Sequence, residues 1–277
     1  MATNATVARM VVIMVGKLRW PTTTGTWRGA HHALHLYMKI FLVTLLAACT
    51  VHAQQPDLSS LNWDGRIVYE CNSIKSEGLK EVSRFISDGA RTVYIGTPIA
   101  LYTYGILASA IDEPSAANRY AAQTGLQAAT ALVLSYGIAV GAKNIVNRER
   151  PYVAHPDLIV NGEGRVDTHM NSFPSGHTTG TAAMTTTLIL RYPKWYVIAP
   201  SVGYALWMGF SRMNLGVHYF TDVMSGYAIG AGVACGVHLL SNELFKLAEP
   251  ILPSDGSIAV GLGGTPTNPV FTLSMTF

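Results

Sequence analysis

Charge is what this chain has least of. Asp, Glu, Lys and Arg make up 13% of its 277 residues, about half the share of an ordinary soluble domain. Apolar residues reach 49%, and that imbalance points to helices embedded in a membrane. The formal net charge is only +3. No basic run or aromatic-spaced basic patch accompanies it, which argues against a nucleic-acid partner. Cysteine is scarce as well. Cys49, Cys71 and Cys235 supply neither a disulfide framework nor metal-ligand spacing. Carboxylate clusters are also missing, so no metal and no other cofactor is expected.

What is present begins with a targeting pattern. From Met38 the chain reads Met-Lys-Ile-Phe-Leu-Val-Thr-Leu-Leu-Ala-Ala-Cys-Thr-Val-His-Ala. This is a short basic start, an apolar core and a small-residue cleavage site ending at Ala53. Residues 1–37, with Trp20, Trp27 and the His31-His32 pair, read as an upstream extension. Leu46-Ala47-Ala48-Cys49 also resembles a lipoprotein cleavage box, and an uncut membrane anchor is the alternative. The chain therefore divides into an N-terminal extension and signal-like segment (1–53), an exported pre-core segment (54–90), a helical core (91–245) and a C-terminal tail (246–277). Residues 54–90 are polar and mixed. They read as one or two short surface helices without recognisable chemistry.

The core holds five apolar stretches, Thr92–Ile111, Ala121–Ala142, Thr178–Leu190, Trp195–Phe210 and Val223–Leu240. The first two are long enough to span a bilayer, and the middle ones are short unless their flanks contribute. Gly125, Gly137, Gly180, Gly226, Gly230 and Gly232 would let such helices pack closely. The expected fold is all-α, a multi-pass membrane bundle, with a soluble bundle of unusually apolar helices as the alternative. Within residues 251–277, Ser257–Leu262 and Pro269–Phe277 alternate apolar and polar side chains on either side of Gly263-Gly264-Thr265-Pro266, which signals a short β-hairpin-like tail. The short loops 112–120 and 191–194 carry Arg119, Arg191 and Lys194 and would share one face. The longer connections 143–177 and 211–222 would share the other. With the positive short loops in the cytoplasm, the longer ones face outside.

The candidate chemistry collects on those longer connections. Lys143 ends the second apolar helix, and Arg150 follows seven residues later, with Pro151 stopping the helix and directing Arg150. Two cations across a helix end suit one anionic group. In Pro174-Ser175-Gly176-His177, Ser175 is placed as an N-cap, so first-turn amides point out of the helix as a ready anion site. Gly176 lets a ligand approach the backbone, and His177 stands at the rim. In Ser211-Arg212 through His218-Tyr219-Phe220-Thr221-Asp222, the four-residue spacing puts His218 and Asp222 on one helical face. The carboxylate there would fix the imidazole tautomer and leave the other nitrogen free to attack or accept a proton. His218 reads as an exposed helix-start histidine with little packing. Arg212 adds a cation of fork geometry suited to phosphate.

Lys143-(six residues)-Arg150-Pro151, Pro174-Ser175-Gly176-His177 and Ser211-Arg212-(five residues)-His218-(three residues)-Asp222 resemble, in order and spacing, the three motifs of the type 2 phosphatidic acid phosphatase family. Its superfamily also contains bacterial non-specific acid phosphatases and vanadium haloperoxidases. The resemblance implies a metal-independent phosphatase acting on a phosphomonoester or pyrophosphate, through a phosphohistidine at His218. Asp222 would orient His218, and His177 would protonate the leaving group. Lys143, Arg150, Arg212, Ser175 and Gly176 would hold the phosphate oxygens. A site at helix ends of an apolar bundle suits a phosphorylated lipid as substrate and the membrane as its partner. The expected location is a bacterial inner membrane with the site facing the periplasm. The alternatives are a soluble periplasmic acid phosphatase or haloperoxidase-like enzyme and, in another class, a multi-pass phosphate-binding or transport protein. His155, Asp157, Asp167 and His169 read as solvated loop residues.

Overall fold

The computed structural model describes residues 57–111, 115–164 and 171–253, and the backbone of 258–265 and 268–275. The signal-like segment, Asp167 and His169 lie outside the described residues. The architecture is mostly helical. Helix α1 (Trp63–Asn72) starts at the N-cap Asn62, whose side chain accepts from the Gly65 amide at 2.8 Å. Helix α2 (Glu77–Ile111) runs 35 residues, so the segment read as short surface helices supplies α1 and the first turns of a long helix. The apolar stretch from Thr92 is only the C-terminal part of that helix. Helix α3 (Ala116–Val146) is capped by Ser115, which accepts from the Asn118 amide at 3.2 Å. The short α4 (Pro151–Ala154), α5 (Gly176–Arg191), α6 (Trp195–Asn214), α7 (Phe220–Leu239) and α8 (Ser241–Leu247) follow.

Among the described residues, three stretches are long and apolar enough to cross a membrane, namely Glu77–Ile111, Ala116–Ala154 and Phe220–Leu239. Each carries large apolar side chains that point away from the bundle, among them Ile99, Leu107, Val133, Ile138 and Met224. By contrast, α5 has 16 residues and lies in the middle of the bundle. Most of its threonines are buried, and two of their hydroxyls bond along the helix itself: Thr185 Oγ1 donates to the Thr181 carbonyl at 2.8 Å and Thr187 Oγ1 to Ala183 at 2.9 Å. Back-bonding of this kind gives a buried threonine hydroxyl an acceptor inside its own helix.

Small residues set how closely α7 approaches α5. A Cβ on Gly226 would stand 2.7 Å from the Ser175 carbonyl oxygen, which no side chain can share. The start of α5 and the first two turns of α7 are thereby pressed together. Away from that contact, Ala90, Tyr94, Met184 and Met208 form one buried cluster, and Ala131, Ala183, Ala234 and Val237 another.

Both short loops stand at one end of the bundle. Arg191 Nε donates to Thr124 Oγ1 at 3.0 Å, its guanidinium lies 3.7 Å over the Tyr120 ring, and the Tyr120 hydroxyl donates to the Arg191 carbonyl. Arg119 pairs with Glu249 at 2.6 Å, next to a 3₁₀ turn (Glu249–Ile251) that follows α8. Residues expected to open a non-helical tail are thus partly helical. Beyond them, the described backbone contains a ladder of β1 (Ile258–Thr265) with β2 (Asn268–Met275). The β-hairpin-like tail is not supported as an element of this fold, which is carried by the helices alone.

Candidate active site

The three motifs meet at the other end. Helix α3 stops at Val146, where Asn147 takes a left-handed conformation (φ 46°) and its amide closes the last turn on the Lys143 carbonyl at 2.9 Å. Asparagine tolerates that conformation better than most residues. Pro151 therefore does not stop the helix, as the sequence suggested. It opens α4 at the first helical position, where its missing N–H costs nothing. Arg150 lies between the two helices, 9% exposed, and donates to the Val217 carbonyl at 3.1 Å. Lys143 Nζ donates to the Asn171 and Pro174 carbonyls at 2.8 and 2.7 Å. The cation thereby grips the loop that leads into Ser175.

Ser175 is the N-cap of α5, as expected, with its hydroxyl accepting from the Thr178 amide at 3.5 Å. Its own amide donates to the Asp222 carbonyl at 3.0 Å, so the second and third motifs are joined through the backbone. Gly176 and His177 form the first turn of α5.

Helix α6 ends in a way the sequence could have announced. Gly216 has φ +72°, its amide donates to the Met213 carbonyl at 2.9 Å, and Val217 N–H reaches the Arg212 carbonyl at 3.1 Å. This pair of bonds is the Schellman termination, in which glycine supplies the left-handed residue. It turns the chain sharply, so that His218 comes back beside Arg212. Arg212 is 2% exposed. One arm of its fork is taken by Ser87 of α2 and by the Glu163 carboxylate, while its buried Nε has no hydrogen-bond partner among the described residues. A buried orphan donor calls for an acceptor, and a phosphate oxygen has the right charge to be one.

His218 departs from expectation in three respects. It is buried, at 2% exposure, because α1 and the 155–163 segment cover it: Asn72 bonds the Asn214 carbonyl at 2.9 Å, and the Gly162 amide bonds the Leu215 carbonyl at 2.9 Å. It also lies just before the helix, since Tyr219 is the N-cap of α7. Its Nδ1 is 3.7 Å from Asp222 Oδ2, too far for the direct hydrogen bond that the spacing suggested. Oδ2 is instead occupied by the Tyr219 amide at 2.9 Å and by the Ser172 hydroxyl at 2.6 Å, and Ser172 Oγ stands 3.5 Å from His218 Nδ1. Nδ1 thus faces Ser172 and the carboxylate, and Nε2 is the nitrogen left for chemistry.

Burial pushes the His218 imidazole well below its ordinary pKa, helped by the charges of Arg150, Arg212 and Lys143. An imidazole so surrounded stays neutral and keeps its lone pair. Burial likewise lowers His177, followed by Arg212, His218, Arg91 and Arg150. A bound dianionic phosphate would oppose the part of that shift owed to the cations, because it places negative charge among them.

Four further residues belong to the site. Arg148 donates to Asp222 Oδ1 and to Thr221 Oγ1, both at 2.7 Å, and to Asp64 Oδ2 at 2.8 Å. Asp64, in the first turn of α1, accepts the Thr221 amide at 3.0 Å. Sequence reading left out Arg148, Ser172, Thr221 and Asp64, although Arg148 stands inside the first motif. Outside this cluster, Asp157 is exposed as expected and His155 is half-buried at the end of α4.

The comparisons agree with this geometry. The PAP2 superfamily profile matches residues 124–246. A decaprenylphosphoryl-5-phosphoribose phosphatase of Mycobacterium tuberculosis is 40% identical over 111 residues, which cover 39% of this chain and 56% of that protein. A lipid A 1-phosphatase of Rhizobium johnstonii is 38% identical over 80 residues, 28% of this chain and 32% of its own length. The undecaprenyl-diphosphatase BcrC of Bacillus subtilis is 28% identical over 153 residues, 54% of this chain and 69% of its own. The chain thus spans from about a third to about two thirds of these relatives. In fold, it resembles the crystal structure of Aquifex aeolicus LpxE (TM-score 0.50, 20% identity, 65% of this chain and 96% of that one). It also resembles a transmembrane PAP2 type phosphatidylglycerolphosphate phosphatase of Bacillus subtilis (TM-score 0.50, 21% identity, 75% and 96%). The three motifs, gathered at one end of a helical bundle, all lie on residues 124–246, the segment that matches the PAP2 superfamily profile.

Proposed function

We propose that this protein is a phosphatase that hydrolyses the phosphomonoester or diphosphate of a lipid through a phosphohistidine at His218. The observation that carries this reading is the buried imidazole of His218 among the cations Lys143, Arg150 and Arg212, with an Arg212 Nε that has no partner among the described residues. In the first step, the Nε2 lone pair forms a bond to phosphorus and the bond to the leaving oxygen breaks. His177, protonated once the phosphate has bound, gives its proton to that oxygen. In the second step, His177 takes a proton from water, the water oxygen bonds to phosphorus, and the P–N bond breaks. Inorganic phosphate leaves, and both histidines return to their starting states. The three cations, the Ser175 hydroxyl and the Gly176 amide hold the equatorial oxygens, where charge accumulates during transfer.

The lipid part of the reading rests on the surface. Large apolar side chains point away from the bundle along the candidate spans, and the site lies at their ends, so a phosphate can sit in water while its chain remains in the bilayer. The relatives' names, each a phosphatase or diphosphatase of a lipid or prenyl compound, point the same way. Purified protein in detergent is expected to release phosphate from prenyl phosphates, prenyl diphosphates or phosphatidic acid, with undiminished rate in EDTA and with inhibition by vanadate. Loss of activity on chelation, restored by magnesium, would place the reaction in another class. Lack of phosphate release from every lipid and soluble ester would leave the phosphate-binding reading.

Sidedness follows from charge. Arg119, Arg191 and Lys194 stand at the end opposite the site, and exposed Trp195 and Tyr196 beside them suit a membrane interface. Positive charge at that end favours its retention in the cytoplasm, which turns the site to the outer side of an inner membrane. A cysteine introduced near Gly162 should react with an impermeant thiol reagent in cells with a permeabilised outer membrane. One placed near Ser115 should react only after lysis. Equal labelling at both positions would overturn the orientation.

A further inference from the structure

We propose that Arg148 is a positioning residue of the site, whose fork holds the Asp222 carboxylate in place behind His218, and that Asp64 anchors it from α1. The inference rests on the phosphatase reading but concerns residues to which that reading gives no role.

The geometry is a chain of charge-assisted bonds. One arm of Arg148 reaches Asp222 Oδ1 at 2.7 Å and the other Asp64 Oδ2 at 2.8 Å. Its guanidinium carbon lies 3.7 Å over the Tyr219 ring. Asp222 is fully buried and Asp64 is 3% exposed, so neither carboxylate is solvated by bulk water. Two buried carboxylates need a cation between them, and a planar fork is the side chain that serves both at once. Lysine, a single point charge, cannot.

Asp64 has a second task. The first N–H groups of a helix have no partner inside it. At the start of α7 the Asp222 carboxylate accepts the Tyr219 amide at 2.9 Å. The Thr221 amide is instead taken by Asp64, 157 residues earlier in the chain, and the Thr221 hydroxyl bonds the same carboxylate. Helix α1 therefore caps in trans the helix that carries Asp222, and it lies outside the segment that matches the superfamily profile. The matched segment alone lacks part of its own support.

The chemical consequence concerns the charge that His218 meets. Lys143 of α3, Arg150, His177 of α5 and Arg212 of α6 face it, with Glu163 set against Arg212. On the other side stands Asp222, whose negative charge is partly offset by Arg148. Removal of Arg148 leaves that carboxylate with its full charge to favour the imidazolium, and held through Oδ2 alone by Ser172 and the Tyr219 amide. Removal of Asp64 leaves Arg148 to Asp222 alone, with the offset intact.

The test uses the full chain in detergent, as Arg148→Met, Arg148→Lys and Asp64→Asn. The readouts are steady-state kinetics and the pH titration of His218 in ¹³C-histidine-labelled protein, assigned with His218→Gln. For Arg148→Met, kcat should fall about 100-fold, the scale of loss from an ångström of misplacement. KM should change little, and the His218 titration should move up. Arg148→Lys keeps the charge but loses the fork, so it should slow turnover with the titration near that of the parent. Asp64→Asn should lower kcat without raising the titration. The proposal is overturned if Arg148→Met leaves both kcat and the titration unchanged, if the loss falls on KM alone, or if all three variants shift the titration equally. Should Arg148→Met fail to fold, parental turnover in both other variants would overturn it. A parent protein without hydrolytic activity would sink the phosphatase reading, whereas the titrations would still decide this one.

Discussion

His218→Asn is expected to abolish turnover while leaving the bundle folded, with a loss of at least about 10⁴-fold, the scale seen when a nucleophile is removed. Asparagine is the informative choice because His218 is buried, and truncation to alanine would add a packing defect to the chemical one. The expected pH behaviour follows from the direction of the shift. His218 stays neutral to well below 6.5, so the acid limb of kcat/KM that belongs to it should lie below that value. Protonation removes the attacking lone pair, and activity is therefore lost as pH falls, never as it rises, through this group. An acid limb above 6.5 would mean that the buried cations do not act on His218 as described.

His177→Asn should have the second-largest effect, and one that depends on the leaving group. General acid catalysis contributes about 10²–10⁴-fold. A lipid alkoxide is a poor leaving group and needs its proton, so the full loss is expected with a lipid monoester. An aryl phosphate leaves without help, so formation of the phosphoenzyme from it should survive the substitution and its breakdown should become limiting. The measurement is the burst of released alcohol or phenol with each substrate. Equal losses in burst rate for alkyl and aryl esters would show that His177 serves the phosphate and not the leaving oxygen.

These expectations rest on residues that the sequence displayed openly, and the reason is physical. A phosphate cradle at helix ends needs cations, a cap and a glycine at set spacings, and Lys143, Arg150, Ser175, Gly176, Arg212 and His218 each stand at or next to a helix terminus. The helices were legible too, because apolar runs of that length have few alternatives. Residues joined through space were not. Arg148 sits beside Glu149 and Arg150 and reads as a charge run, and its partners are 84 and 74 positions away. Asp64 lies in a polar stretch whose composition says surface, yet two turns of α1 are buried against α6 and α7. The burial of His218 was equally hidden, since it depends on Asn72 and Gly162 closing over a turn far from both in sequence. Gly216 was the missed local signal: a glycine just past an apolar helix announces a termination, and that termination is what returns His218 to Arg212.

The most direct test of the central claim is to trap the phosphoenzyme. Purified protein is mixed with a ³²P-labelled substrate, quenched within a turnover and kept at alkaline pH, where a phosphohistidine survives and an acyl phosphate does not. The account predicts acid-labile label on a single peptide, assigned to His218 and absent from His218→Asn. Label on a serine or aspartate, or steady turnover with no labelled protein at any quench time, would contradict it.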